Sequence, residues 1–141
     1  MPFSIRVTVT EQDLDELQHV NNIVYVRWIQ DVAFAHSVAV GLPMEKYRSL
    51  GAFFVVRRHE VDYLRSAVLG DALEVETRVI ESSLVTAHRQ TFIRRVSDGQ
   101  VMVQAKTHWA YVSTTTGRPV RIPPEVRQCF TIEPLEQKTA S

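Results

Sequence analysis

Residues 13 to 28 read DLDELQHVNNIVYVRW, from Asp13 to Trp28. Up to Asn21 the stretch is polar and has no hydrophobic period, so it reads as a loop. From Asn22 the spacing becomes helical: Val26, Ile29, Ala33, His36 and Val40 recur at three or four residues, the stripe of an amphipathic helix. Gly41-Leu42-Pro43 ends the run, as a glycine followed by a proline does. About nineteen residues of helix would extend roughly 28 Å at 1.5 Å per residue. Asn21 or Asn22 suits its cap, since the side-chain oxygen can take an orphan amide of the first turn.

On the N-terminal side, FSIRVTV (residues 3 to 9) alternates Phe3, Ile5, Val7 and Val9 with Ser4, Arg6 and Thr8, the period of a half-buried strand. On the C-terminal side a short helix around Pro43 to Leu50 precedes four strands, about Ala52 to Tyr63, Ala72 to Glu81, Val85 to Arg95 and Gln100 to Ser113. Leu69-Gly70-Asp71, Ser82-Ser83 and Ser97-Asp98-Gly99 separate them, the last being an Asp-Gly hairpin signal. TTTGRPVRIPPE then leads into a short terminal helix beginning near Pro124. One long helix and sequential antiparallel strands predict an α+β fold, with the helix laid on one face of a five-stranded sheet. No repeat, linker or low-complexity tract interrupts residues 1–141, so one domain is expected. The long apolar strand that starts AFFVV is a liability if left as an open edge, which predicts a homo-oligomer.

The 141 residues carry 16 basic and 16 acidic side chains. That balance gives no basic excess and no reason to expect a nucleic-acid partner. At 45% apolar and 23% charged, the composition is that of a globular chain. No run approaches the length of a membrane helix, Met1 to Arg6 has no apolar signal core, and the cytoplasm is the expected compartment. The single cysteine, Cys129, leaves no intrachain disulfide or CxxC zinc site.

Residues 13 to 22 allow two readings: an ordinary polar loop with a helix cap, or a catalytic loop. A helix N-terminus offers free amides and the positive end of a dipole to an oxygen gathering negative charge. A carboxylate just upstream can attack, or deprotonate water, beside that oxyanion site. Asp13 and Asp15 both qualify. A calcium loop starting at Asp13 would need Gly at its sixth position and Glu at its twelfth; Gln18 and Val24 stand there. Asp13, Asp15 and His19 have no recognised metal spacing. His36, on the apolar stripe, reads as a satisfied core or interface histidine. In Arg57-Arg58 and Arg94-Arg95, adjacent strand residues face opposite ways, so at most one of each pair faces a given site.

With these residues quoted, a resemblance can be stated. DLDELQHVNNIVYVRW resembles the D-x-D-x-x-G-H-V-N-N-x-x-Y signature of hotdog-fold acyl-CoA thioesterases of the 4-hydroxybenzoyl-CoA thioesterase family. Tyr63, Gly70, Asp71 and Leu73 are similar to that family's Y-x-x-P-x-x-x-G-D-x-L segment. The likeness covers about residues 3 to 128. It implies a hotdog fold and hydrolysis of acyl-CoA to a carboxylic acid and free thiol, without metal or organic cofactor. It also implies a homodimer or homotetramer with active sites at the dimer interface. The catalytic carboxylate falls on Asp15, as nucleophile or general base; the oxyanion amide falls on Asn22; His19 shapes the loop or contacts the thioester. Asn21 and Tyr25 fall on substrate-binding positions, and Asp13 on a loop-organising one. Gln18 replaces the signature glycine, and the second segment lacks the proline. Gln18-His19-Val20-Asn21-Asn22 is also similar to plant acyl-carrier-protein thioesterases, although Leu17 replaces their asparagine. An acyl-carrier protein is therefore a second expected donor, and a non-catalytic acyl-thioester binding protein is the alternative function. A hotdog dehydratase would place its Asp and His further apart than Asp15 and His19.

Overall fold

The computed structural model describes residues 2–136. Its elements run β1 (Phe3–Thr8), α1 (Asn22–Ala39), α2 (Met44–Leu50), β2 (Ala52–Tyr63), β3 (Ala72–Ser82), β4 (Thr86–Arg95), β5 (Val101–Ser113) and α3 (Pro124–Arg127), with a 3-10 turn at Glu11–Asp13. The strands form one antiparallel sheet in the order β1-β3-β4-β5-β2. This is the expected five-stranded sheet around one long helix.

Register shifts at Val56/Arg58, Val79/Glu81 and Ile93/Arg94 are bulge-like irregularities of the kind that bend a strand and raise its twist. They let the sheet curl about α1. The helix buries Tyr25, Trp28, Ile29 and Val32 in one cluster with Val75, Ile93, Val103 and Ala105, among others, from the sheet, and buries Ala33 and Ser37 as well. Ile29 and Val32 each contribute about 1.5–3 kcal/mol by leaving water.

The buried stripe is rotated from the expected one. Val26, His36 and Val40 lie at its half-buried rim, and Tyr25 and Ser37 lie inside it. Local hydrogen bonds permit this. The Tyr25 hydroxyl accepts from the Ala67 amide at 2.9 Å, and the Ser37 and Tyr47 hydroxyls bond each other at 3.1 Å. A polar residue satisfied in this way can occupy a core position.

A second cluster, with Leu42, Tyr47, Ala52, Tyr111, Ile122 and Val126, packs α2 and α3 over the ends of β2 and β5. Beyond Thr77, β3 has no β1 partner. The Glu133 amide donates to the Val79 carbonyl there at 2.8 Å, so the C-terminal segment covers that edge. Glu136 then takes ion pairs from Arg78 and Arg94. The other sheet edge is β2.

Candidate active site

Residues 13–21, read as a loop, form a small, closed hairpin. Leu14 and Val20 form an antiparallel bridge. The Asp15 amide donates to the His19 carbonyl at 2.8 Å, the Gln18 amide to the Asp15 carbonyl at 3.0 Å, and the Asn21 amide to the Asp13 carbonyl at 2.8 Å. The tight reversal requires a positive φ at Gln18, 63°. That is the left-handed region where a glycine is at ease and a Cβ costs about 1–2 kcal/mol. The signature glycine's position therefore keeps a glycine's conformation without the glycine.

Asp13 and Asp15 have separate roles. Asp13 is 7% exposed; its Oδ2 accepts from the Thr10 amide and hydroxyl, and its Oδ1 from Arg27 at 3.3 Å. It organises the loop's entrance. Asp15 is half-buried, and its Oδ1 accepts amides from Leu17 at 2.9 Å and His19 at 3.3 Å. Among the described residues its Oδ2 has no partner. The arrangement fixes the carboxylate through one oxygen and leaves the other available.

The loop runs straight into α1. Asn21 is the cap, its side-chain oxygen accepting from the Ile23 amide at 3.1 Å, while the Val24 amide donates to the Asn21 carbonyl. The Asn22 amide, first of the helix, donates to nothing among the described residues. An unpaired N1 amide at the positive end of an 18-residue helix is an anion-stabilising donor. The His19 side chain is exposed beside this turn.

A second segment holds the hairpin in place. The Val20 amide donates to the Ala67 carbonyl, and His19 bridges to Val68. Tyr25, expected to touch substrate, is only 1% exposed; its ring packs on Trp28 and Tyr63 while its hydroxyl takes the Ala67 amide. It anchors helix to segment and offers no open surface. Gly70 (φ 85°) and Asp71 close the turn into β3, the Asp71 carboxylate accepting from the Val68 amide at 3.0 Å. Among the described residues no group of three His, Cys, Asp or Glu side chains could hold a metal ion.

The opposite end of α1 carries a feature the sequence reading missed, a largely apolar cavity of about 220 Å³ lined by Phe34, Ser37, Tyr47, Arg89, Trp109 and Phe130, among others. Along β4 both faces mix polar and apolar residues, so alternation does not reveal that Arg89 points inward.

With fold and loop defined, the relatives can be placed. The chain belongs to the Thioesterase-like superfamily, which it matches over residues 9–130. It is 25% identical over 126 residues, 89% of its length, to the chloroplastic acyl-acyl carrier protein thioesterase ATL2 of Arabidopsis thaliana, and covers 66% of that protein. It is 38% identical over 68 residues, 48% of its length, to Protein THEM6 of Danio rerio, and covers 33% of it. The chain thus spans between a third and two thirds of these relatives. In fold it is similar to a 1,4-dihydroxy-2-naphthoyl-CoA thioesterase from Synechocystis, with a TM-score of 0.84 at 16% identity over 92% of this chain and 95% of that one. The sheet and helix are those of a hotdog thioesterase fold. No described helix is long and apolar enough to cross a membrane.

Proposed function

We propose that this chain is an acyl thioester hydrolase, with Asp15 as its attacking group and the Asn22 amide as its oxyanion donor. The observation that carries this reading is the Asp15 carboxylate. One oxygen is tied to two amides and the other has no partner among the described residues, in a loop that leads directly into a helix amide likewise unpaired among them. Either the free oxygen attacks the thioester carbonyl, giving a mixed anhydride that water opens, or it deprotonates the attacking water. Both routes break the C–S bond, form a C–O bond and return a proton to the thiolate. The tetrahedral oxygen gathers its charge near the helix terminus, where a preorganised donor counts most. His19 and Asn21 flank this point. His19 borders the thioester, and Asn21 keeps the first turn open by capping Ile23 rather than Asn22.

Coenzyme A and an acyl-carrier protein are both supported as donors, by the fold likeness to a CoA thioesterase and the sequence likeness to a carrier-protein thioesterase. Pairing of β2, an open edge of twelve residues, with a second copy would remove the exposed ladder. A cytoplasmic homodimer, or two such dimers as a homotetramer, is the proposed assembly.

The test is thiol release from a panel of acyl-CoAs and acyl-carrier proteins by wild type and Asp15→Asn. An asparagine oxygen can still accept the Leu17 and His19 amides, so the loop survives the substitution. Turnover should fall by at least about a hundredfold, the scale of losing an acid/base group. A variant within threefold of wild type would remove Asp15 from the chemistry. Tight acyl-thioester binding with no release by wild type would move the reading to a non-catalytic binding protein.

A further inference from the structure

The cavity at the C-terminal half of α1 contains a charge that no described carboxylate meets at ion-pair distance. Arg89 is 6% exposed and lines the cavity, yet among the described residues no carboxylate lies within ion-pair distance of it. Its Nη1 donates to two neutral acceptors, His36 Nδ1 at 3.0 Å and Thr77 Oγ1 at 3.4 Å. Its Nε and Nη2 have no partner among the described residues. The Phe130 ring lies 5.4 Å from the guanidinium carbon. Trp109, 5% exposed and also in the lining, buries its Nε1 donor without an acceptor among the described residues. The lining contains a second cation, Arg127, and no acidic side chain.

Leaving a buried guanidinium without an anion is expensive, and an apolar residue would normally be no worse for the fold. Burial draws the Arg89 pKa down only to about 10, so the group is charged at neutral pH. Burial and the adjacent Arg89 hold His36 at about 4, so His36 is a neutral acceptor there. The wall therefore presents a buried positive fork, a second cation in Arg127 and spare donors in a largely apolar space. Phe34 (43% exposed) and Ile132 (51%) line the same space, so it reaches the surface. A dry cavity of about 150 Å³ accommodates benzene, which makes 220 Å³ suitable for a one-ring or six-carbon body.

We infer that this cavity is a binding site for a small carboxylate with an apolar body, its carboxylate received by the Arg89 guanidinium. Planar fork-to-carboxylate geometry is the recognition that arginine provides best. The carboxylate has two possible sources, a free carboxylic acid or the distal end of a dicarboxylic acyl thioester. The second source rests on the hydrolase reading above; the site itself does not. From Asn22 to Ala33, where the lining begins, α1 advances roughly 16 Å at 1.5 Å per residue. The site is thus well separated from Asp15 within one chain.

Calorimetric titration of the full chain tests this, comparing phenylacetate with uncharged 2-phenylethanol. Wild type should bind phenylacetate at least tenfold more tightly, and Arg89→Met should erase that preference. Ala87→Phe, which fills the cavity from its wall, should weaken both ligands. Equal affinity for acid and alcohol in wild type, or a preference that survives in Arg89→Met, overturns the assignment. Should Arg89→Met not fold, Arg89→Lys keeps the charge without the fork and should lose at least threefold of the preference; an unchanged preference again overturns it. Thiol release then separates the sources. At least tenfold faster turnover of hexadecanedioyl-CoA, whose chain is long enough to reach from Asp15 to Arg89, than of palmitoyl-CoA, lost in Arg89→Met, identifies the distal carboxylate. Binding of phenylacetate without that selectivity identifies the free acid. Absence of any thiol release would defeat the hydrolase reading and leave the binding result standing.

Discussion

The two ends of α1 solve opposite electrostatic problems. At its N-terminus an anion, Asp15, lies half-buried beside solvent and is held by two neutral amides. At its other half a cation, Arg89, is buried and held by a histidine and a threonine. The first arrangement costs little, because water shares the solvation and the amides point at the charge. The second removes a guanidinium from water with only partial replacement. Stability and proposed chemistry should therefore respond in opposite senses at the two ends, and each substitution below tests that contrast.

The largest effect on stability is expected at Arg89. Its replacement by methionine keeps the apolar stem and discards the desolvated charge, so the folded state should gain on the order of 1–4 kcal/mol. Asp15→Asn should stay within about 0.5 kcal/mol of wild type, as a near-surface change does. Urea unfolding of the three proteins measures both. A destabilised Arg89→Met would mean that the guanidinium is a net structural asset, and the contrast between the two ends would fail.

Acid sharpens the same comparison. His36 is held at about 4 by its burial and then by Arg89, with Glu133 opposing. His59 is lowered by burial, and His108 by burial and then by His88 and Arg58. A histidine lowered in the fold takes up its proton first in the unfolded chain. Stability is therefore complete above the unfolded value near 6.5 and is lost as pH falls toward 4. The urea midpoint should drop steadily across that window. His36→Gln, which keeps an acceptor for Arg89 and removes the titration, should flatten the drop; a profile as steep as wild type would place the proton uptake elsewhere.

The two ends also differ in how far they could be read from sequence. The elements of the fold were legible: the helix start at Asn22 and the bounds of β2 through β5 follow from period, turn residues and caps. The loop of residues 13–21 was legible as a candidate site as well, because its residues are contiguous and Asp13, Asp15, His19 and Asn21 form a pattern. Its closure into a hairpin was not, since backbone amides donating to backbone carbonyls leave no trace in residue type. The cavity was hidden for a different reason. Its wall gathers α1, α2, β2 to β5 and residues 122–132, and only the folded chain brings Arg89 to His36, 53 residues away. The helix stripe was misplaced because Tyr25 and Ser37 look polar until Ala67 and Tyr47 are beside them.

The smallest expected effect lies within the loop itself. Gln18 holds φ at 63°, a strain on the side chain of about 1 kcal/mol once glycine's own entropic cost is set against it. Gln18→Gly should therefore raise stability by about 0.5–1 kcal/mol without altering the hydrogen bonds of Asp15. Its effect on turnover is the sharper measurement. If the strain only reflects an unavoidable turn, thiol release should stay within about twofold of wild type, less than half a kcal/mol in the barrier. If relief of the strain loosens the loop, release should fall while stability rises. That outcome would show that Gln18 helps to position the free oxygen of Asp15, and that the N-terminal end of α1, like the buried end, retains a local cost for the sake of its site.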